Sequence, residues 1–159
     1  MKSRTLRTAV FLMASVMGLS AAAGDSVPFR ATFQTAPVPI GPCGEGCFAL
    51  EIRGTGQATH MGMTEIAGPS EVSVPCDQQT GTSTLTSANG DTIQITFSGT
   101  VICEGPTLAD PVTFQGAWDA IGGTGRFTGV TGSGTYSGGA TGGSGELLLI
   151  GDLGTPHTN

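Results

Sequence analysis

Along most of the chain apolar and polar residues alternate with a period of two, the repeat of a strand that buries one face. Val27, Phe29, Ala31 and Phe33 share one parity against Arg30, Thr32 and Gln34, and Pro37 and Pro39 are expected to stop that strand. After the turn-rich Pro42-Cys43-Gly44-Glu45-Gly46-Cys47, a second strand sets Phe48, Leu50 and Ile52 against Ala49, Glu51 and Arg53. Gly54 and Gly56 predict a bend or bulge in it, and its inner parity runs on through Ala58 to His60. A third segment, Glu71 to Cys76, alternates Val72, Val74 and Cys76.

The clearest turn signal is Asn89-Gly90, between Thr82–Ala88 and Asp91–Cys103. A two-residue turn would set Leu85 opposite Gln94, on the polar face of the second arm. A three-residue loop with Gly90 left-handed pairs Ser87 with Asp91 and Leu85 with Ile93, on the face shared by Ile95, Phe97, Val101 and Cys103. The second register is expected, because a one-residue slip moves every apolar side chain to the wrong face. Carried away from the turn, it brings the neighbourhood of Cys76 opposite Cys103, and so favours Cys76–Cys103 together with a local Cys43–Cys47 loop among the three connectivities four cysteines allow.

Val112, Phe114, Gly116, Trp118 and Ala120 make the next strand, with the only tryptophan as core filler or, in second place, a surface for stacking a ligand. The stretch Gly122–Gly139, GGTGRFTGVTGSGTYSGG, reads as a structural corner: its glycines permit special backbone angles, Phe127 anchors the turn, and Arg126 pairs with a local carboxylate such as Asp119. Leu147–Ile150 is a closing strand, covered on both sides or facing a protein outside, and Thr155–Asn159 a frayed tail. Short alternating strands with glycines at bends predict an all-β protein, a single antiparallel β-barrel of about eight strands, with a two-sheet β-sandwich as the alternative.

Lys2, Arg4 and Arg7, the apolar run Thr8–Leu19 and Ala21-Ala22-Ala23 have the order of a cleaved secretory signal, which gives a segment 1–23 and a domain 24–159. The run is too short to span a membrane as a helix, so the mature chain is expected in the periplasm or outside the cell, where disulfides are the default. Three of the six basic residues lie in that segment and none of the twelve acidic ones, leaving three arginines and a formal charge of −9. That balance disfavours nucleic acid and anionic lipid as partners, both of which require clustered lysine or arginine. Neither composition nor motif bears on oligomeric state.

Motifs that carry chemistry are missing. There is no G-x-S-x-G elbow, no H-E-x-x-H and no zinc pattern, and the glycine-rich stretch lacks the Lys-Ser/Thr ending of a phosphate loop. No catalytic residue, metal ligand or cofactor is therefore assigned; His60 and Trp118 stand as candidate ligand-binding residues, with Cys43, Cys47, Cys76 and Cys103 as structural disulfides.

Asn89-Gly90-Asp91, a following strand, Gly-Gly-Thr-Gly-Arg-Phe at residues 122–127 and Thr-Gly-Ser-Gly-Thr-Tyr at residues 131–136 resemble the C-terminal half of the barrel shared by allene oxide cyclases and dirigent proteins. Ala58-Thr59-His60-Met61-Gly62 ahead of the hairpin resembles exported bacterial proteins on that barrel. The resemblance covers roughly Gly54–Gly151 and implies an eight-stranded antiparallel barrel with a central cavity in which the plant enzymes rearrange hydrophobic or phenolic substrates. Its glycine motifs specify a backbone rather than a reaction.

Three functions follow as expectations. The first is a non-enzymatic exported barrel that binds a small apolar molecule or serves in the envelope. The second is an isomerase or cyclase of an apolar substrate using His60, Glu51 or Arg53, although the last two have outward parity. The third is an adhesin or polysaccharide binder using the outward row Thr92, Thr96 and Thr100.

Overall fold

The computed structural model describes residues 25–107 and 109–154; the expected signal segment and tail lie outside them. Eight strands run up and down in chain order: β1 Ser26–Gly44, β2 Cys47–Ala58, β3 Gly62–Ser73, β4 Gln78–Ser87, β5 Thr92–Cys103, β6 Val112–Gly123, β7 Thr131–Thr141 and β8 Ser144–Gly154. Each pairs antiparallel with the next, and β8 returns to β1 from Ser26↔Gly154 to Thr35↔Gly145. The sheet is a closed barrel and not a sandwich. Closure gives every central strand two partners and leaves few unpaired backbone groups for another chain to use.

Hairpin β4–β5 has the register the sequence predicts: Leu85 pairs with Ile93, Gly90 is left-handed at φ 88°, and the Ser87 N–H donates to the Asp91 carbonyl. Both expected disulfides are present, Cys43–Cys47 and Cys76–Cys103.

Several local expectations are corrected. β1 does not stop at Pro37 but continues through Pro37, Pro39 and Pro42 to Gly44. Beyond Thr35 it has β2 alone as a neighbour, an edge position in which a strand tolerates a missing N–H. The register shifts fall there, between Pro39 and Gly41 and between Pro42 and Gly44, while β2 pairs without a bulge through Gly54 and Gly56. The inner parity of β2 ends at Ala58, because His60 takes a left-handed conformation, φ 66°, and the chain reverses. β3 starts immediately after that turn, at Gly62, and ends at Ser73, short of Cys76. In β8 the outer residues Leu148 and Ile150 are half-buried and exposed, so of the two expectations for this strand the one corrected is cover on both sides within the described residues.

The barrel is filled at one end. Phe29, Ala31 and Phe33 of β1, Trp118 and Ala120 of β6 and Leu153 of β8 meet Met61, Phe127 and Val130 from the connecting turns, all buried. Trp118 is fully buried, lies edge-on to Phe29 at 5.6 Å between ring centroids, and donates from Nε1 to the Thr135 carbonyl at 3.1 Å.

Candidate functional site: a cup in the open half of the barrel

At the other end, where the β1–β2, β3–β4, β5–β6 and β7–β8 connections lie, the same inward parity lines a cavity of about 610 Å³. This is within the range of about 300–1,000 Å³ usual for small-molecule sites. Phe48, Leu50 and Ile52 of β2, Phe97 of β5 and Phe114 of β6 point inward yet are half-buried, because what they face is empty space. Ile66, Ile95 and Leu149 close the bottom, and Val74, Pro75 and the Cys76–Cys103 bridge stand at the mouth.

A few polar groups interrupt the wall. Gln79 Nε2 donates to the Tyr136 hydroxyl at 3.1 Å, with both residues buried. The contact is reached across two strands. Tyr136 pairs with Gly116 and its ring crosses over Gly116 towards Gly99, so that a Cβ at Gly116 would stand 2.7 Å from the ring and one at Gly99 2.6 Å from the hydroxyl. Glycine at both positions makes the crossing sterically allowed. Phe97 and Phe114 flank the ring at 5.7 and 6.4 Å between centroids. Burial raises the Tyr136 pKa above its ordinary 10.0, against the smaller opposing effect of the Gln79 hydrogen bond, so the phenol is neutral at physiological pH.

Ser83, in the wall deeper than Gln79, is buried, and its Oγ makes no hydrogen bond, the one such buried side-chain atom among the described residues. At the rim, Asp110 Oδ2 accepts from the Thr107 hydroxyl at 2.7 Å and the Thr107 N–H at 2.9 Å, and these bonds hold its carboxyl below the usual 3.8. Tyr136 and Asp110 are the wall's titratable side chains apart from the bridged cysteines.

The residues singled out from sequence stand elsewhere. His60 lies in the exposed β2–β3 turn, at the filled end, where Nε2 donates to the Pro28 carbonyl at 3.1 Å. Trp118 is in the core and not in the cavity wall. Glu51 and Arg53 face outward and pair with each other at 3.0 Å. Arg126 pairs with Asp91, Nε to Oδ2 at 3.3 Å, and not with Asp119; the 3-10 turn Gly125–Phe127 follows β6 and brings the guanidinium back to the β4–β5 turn. Phe127 is buried, as an anchor of that corner must be. Thr92, Thr96 and Thr100 do lie together on the outside of β5, on the curved wall of a closed barrel.

The one cluster of ligand-type atoms among the described residues, Cys43, Cys47 and Glu71, has both sulfurs in a disulfide and offers no thiolate. A second depression, about 670 Å³, lies on the outer wall among Arg30, Gln34, Gln57 and Glu146, where Gln34 Nε2 donates to Glu146 Oε1 at 2.9 Å. No helix among the described residues is long and apolar enough to cross a membrane.

Sequence reading missed Gln79, Ser83 and Tyr136. The signal was present in β4, where Gln79 and Ser83 have the parity of the buried Leu85. Compared with family models, curated proteins and solved structures, the chain matches none.

Proposed function

We propose that this protein is an exported, non-enzymatic binder of a small apolar molecule held in the open half of its barrel. The observation that carries the reading is the cavity of about 610 Å³ whose aromatic and aliphatic wall is left half-buried. Apolar surface facing water costs roughly 25 cal/mol per Å² relative to burial, so an apolar occupant gains by covering it. Export is supported by the signal-like order of residues 1–23 and by two disulfides. Most outward positions carry polar residues, among them Arg30, Gln34, Gln57, Glu65 and Asp119, and the exposed Ile102, Ile121 and Ile150 are set among them, unlike the continuous apolar band of a barrel that faces lipid. The closed eight-stranded form accords with the resemblance to allene oxide cyclases and dirigent proteins. An isomerase would have Tyr136 and Asp110 as the titratable groups in the wall, with His60, Glu51 and Arg53 all outside it.

The test is saturable uptake of N-phenyl-1-naphthylamine, which fluoresces in apolar surroundings, with stoichiometry from native mass spectrometry. One molecule per chain is expected, and Leu50→Trp, which places an indole in the cavity, abolishes uptake while unfolding stays cooperative. No uptake by a cooperatively folded wild type refutes the proposal.

A further inference from the structure

Resting on that reading, we infer that the occupant is an uncharged apolar molecule carrying a hydrogen-bonding oxygen at its leading end, received by the Ser83 hydroxyl. Ser83 lies five residues into β4 from Gln78, about 16 Å along the strand at roughly 3.3 Å per residue. Its Oγ is buried without a partner, whereas buried polar groups in folded proteins are almost always paired. Ser83 lines the cup, so a turn about its Cα–Cβ bond to another staggered rotamer would present the buried hydroxyl to a ligand hydroxyl or carbonyl, which would make the hydrogen bond that the side chain otherwise lacks.

Tyr136 offers a second point higher in the wall. Its oxygen accepts from Gln79, so its own proton is left to donate into the cavity, and the phenol stays protonated. Charge excludes the other common end group. Among the described residues the wall contains no lysine, arginine or histidine, and its one carboxylate, Asp110, belongs to the rim. A ligand carboxylate would enter without a counter-ion, and burying an unpaired charge is far costlier than burying a hydroxyl that finds a partner.

Affinities of naphthalene, 2-naphthol and 2-naphthoate, measured by displacing N-phenyl-1-naphthylamine, test this. Ser83→Ala and Ser83→Cys should each lower the naphthol-to-naphthalene affinity ratio by about tenfold, the worth of one hydrogen bond, and leave naphthalene unchanged. Naphthalene binding thus reports that each variant keeps its cavity. In the wild type 2-naphthoate should bind at least about tenfold more weakly than 2-naphthol. An unchanged ratio in both serine variants, or naphthoate binding as well as naphthol, overturns this inference while binding in the cavity stands. If the wild type takes up neither the fluorescent probe nor any of the three, both proposals fall.

Discussion

Replacing Cys76 and Cys103 together by alanine should destabilise the barrel much more than replacing Cys43 and Cys47. The two bridges differ chiefly in the chain they close: 27 positions separate Cys76 from Cys103, and 4 separate Cys43 from Cys47. A cross-link removes conformations from the unfolded chain in proportion to the logarithm of the loop, which gives about 3.5 kcal/mol for the first bridge and about 2 kcal/mol for the second. Packing adds little to either, since Cys76, Cys103 and Cys47 are only half-buried and Cys43 is exposed. Equilibrium urea unfolding of the wild type and the two double variants measures both losses. The Cys76/Cys103 variant should also unfold with a larger denaturant slope, because its unfolded chain is more expanded. If the two losses are equal, or the short loop proves the more costly, chain entropy is not how these bridges act. The native tie between the β3–β4 connection and the end of β5 would then carry the effect.

Three further outcomes follow from the site. Gly116→Ala puts a methyl group 2.6 Å from the Gly99 Cα and 2.7 Å from the Tyr136 ring, an overpacking that should cost about 3 kcal/mol in urea unfolding, whereas Gly129→Ala, with nothing around its side-chain position, meets no clash and tests conformation alone at φ 73°. The Asp110 carboxyl is held below its ordinary 3.8, so its hold on Thr107 is complete above that value and is lost as pH falls through the lower folded one; on acidification from about pH 5 the exchange of the Thr107 amide, corrected for intrinsic rates, should stay flat through 3.8 and accelerate only below it. The Tyr136 pKa is raised, so stability falls as pH climbs above 10.0, and Tyr136→Phe should flatten that alkaline limb in thermal unfolding.

What the sequence makes legible here is what a period of two can encode. Leu85 opposite Ile93 was decidable because the alternative register put a leucine among Thr92, Gln94 and Thr96, and both disulfides followed from extending that pairing. Closure was not decidable, since sandwich and barrel strands bury one face alike and only the β1–β8 ladder distinguishes them. The persistence of β1 through three prolines depends on β8 starting only at Ser144, beside Thr35, which leaves the rest of β1 with one neighbour, a fact of strand lengths and not of local propensity. Arg126 was assigned a carboxylate near in sequence, but the closed sheet puts the β6–β7 corner beside the β4–β5 turn, and Asp91 is the one within reach. His60 and Trp118 belong to rare residue types in this chain, and neither lines the cavity. The polar groups in the cavity are common types, and they differ from the outward glutamines and serines by parity alone.

The strands do not decide which half of the barrel is empty, since large apolar residues line both halves: Phe29, Phe33 and Trp118 in one, Phe48, Phe97 and Phe114 in the other. An eight-stranded barrel is just wide enough for side chains to fill, so small additions at the ends determine whether an axis is packed or hollow. The difference lies in the turns. At the filled end the β2–β3 turn contributes Met61 and the β6–β7 corner contributes Phe127 and Val130, three apolar side chains beyond what the strands supply. At the open end the β1–β2 turn is held by its own disulfide, the β7–β8 turn is Gly142-Gly143, and Val74 and Pro75 of the β3–β4 connection stop at the rim. The glycine-rich corner after β6 thus has a part in the site without touching it. By seating Phe127 beneath the barrel and fixing Arg126 on Asp91, it completes the packed floor against which the cup is open.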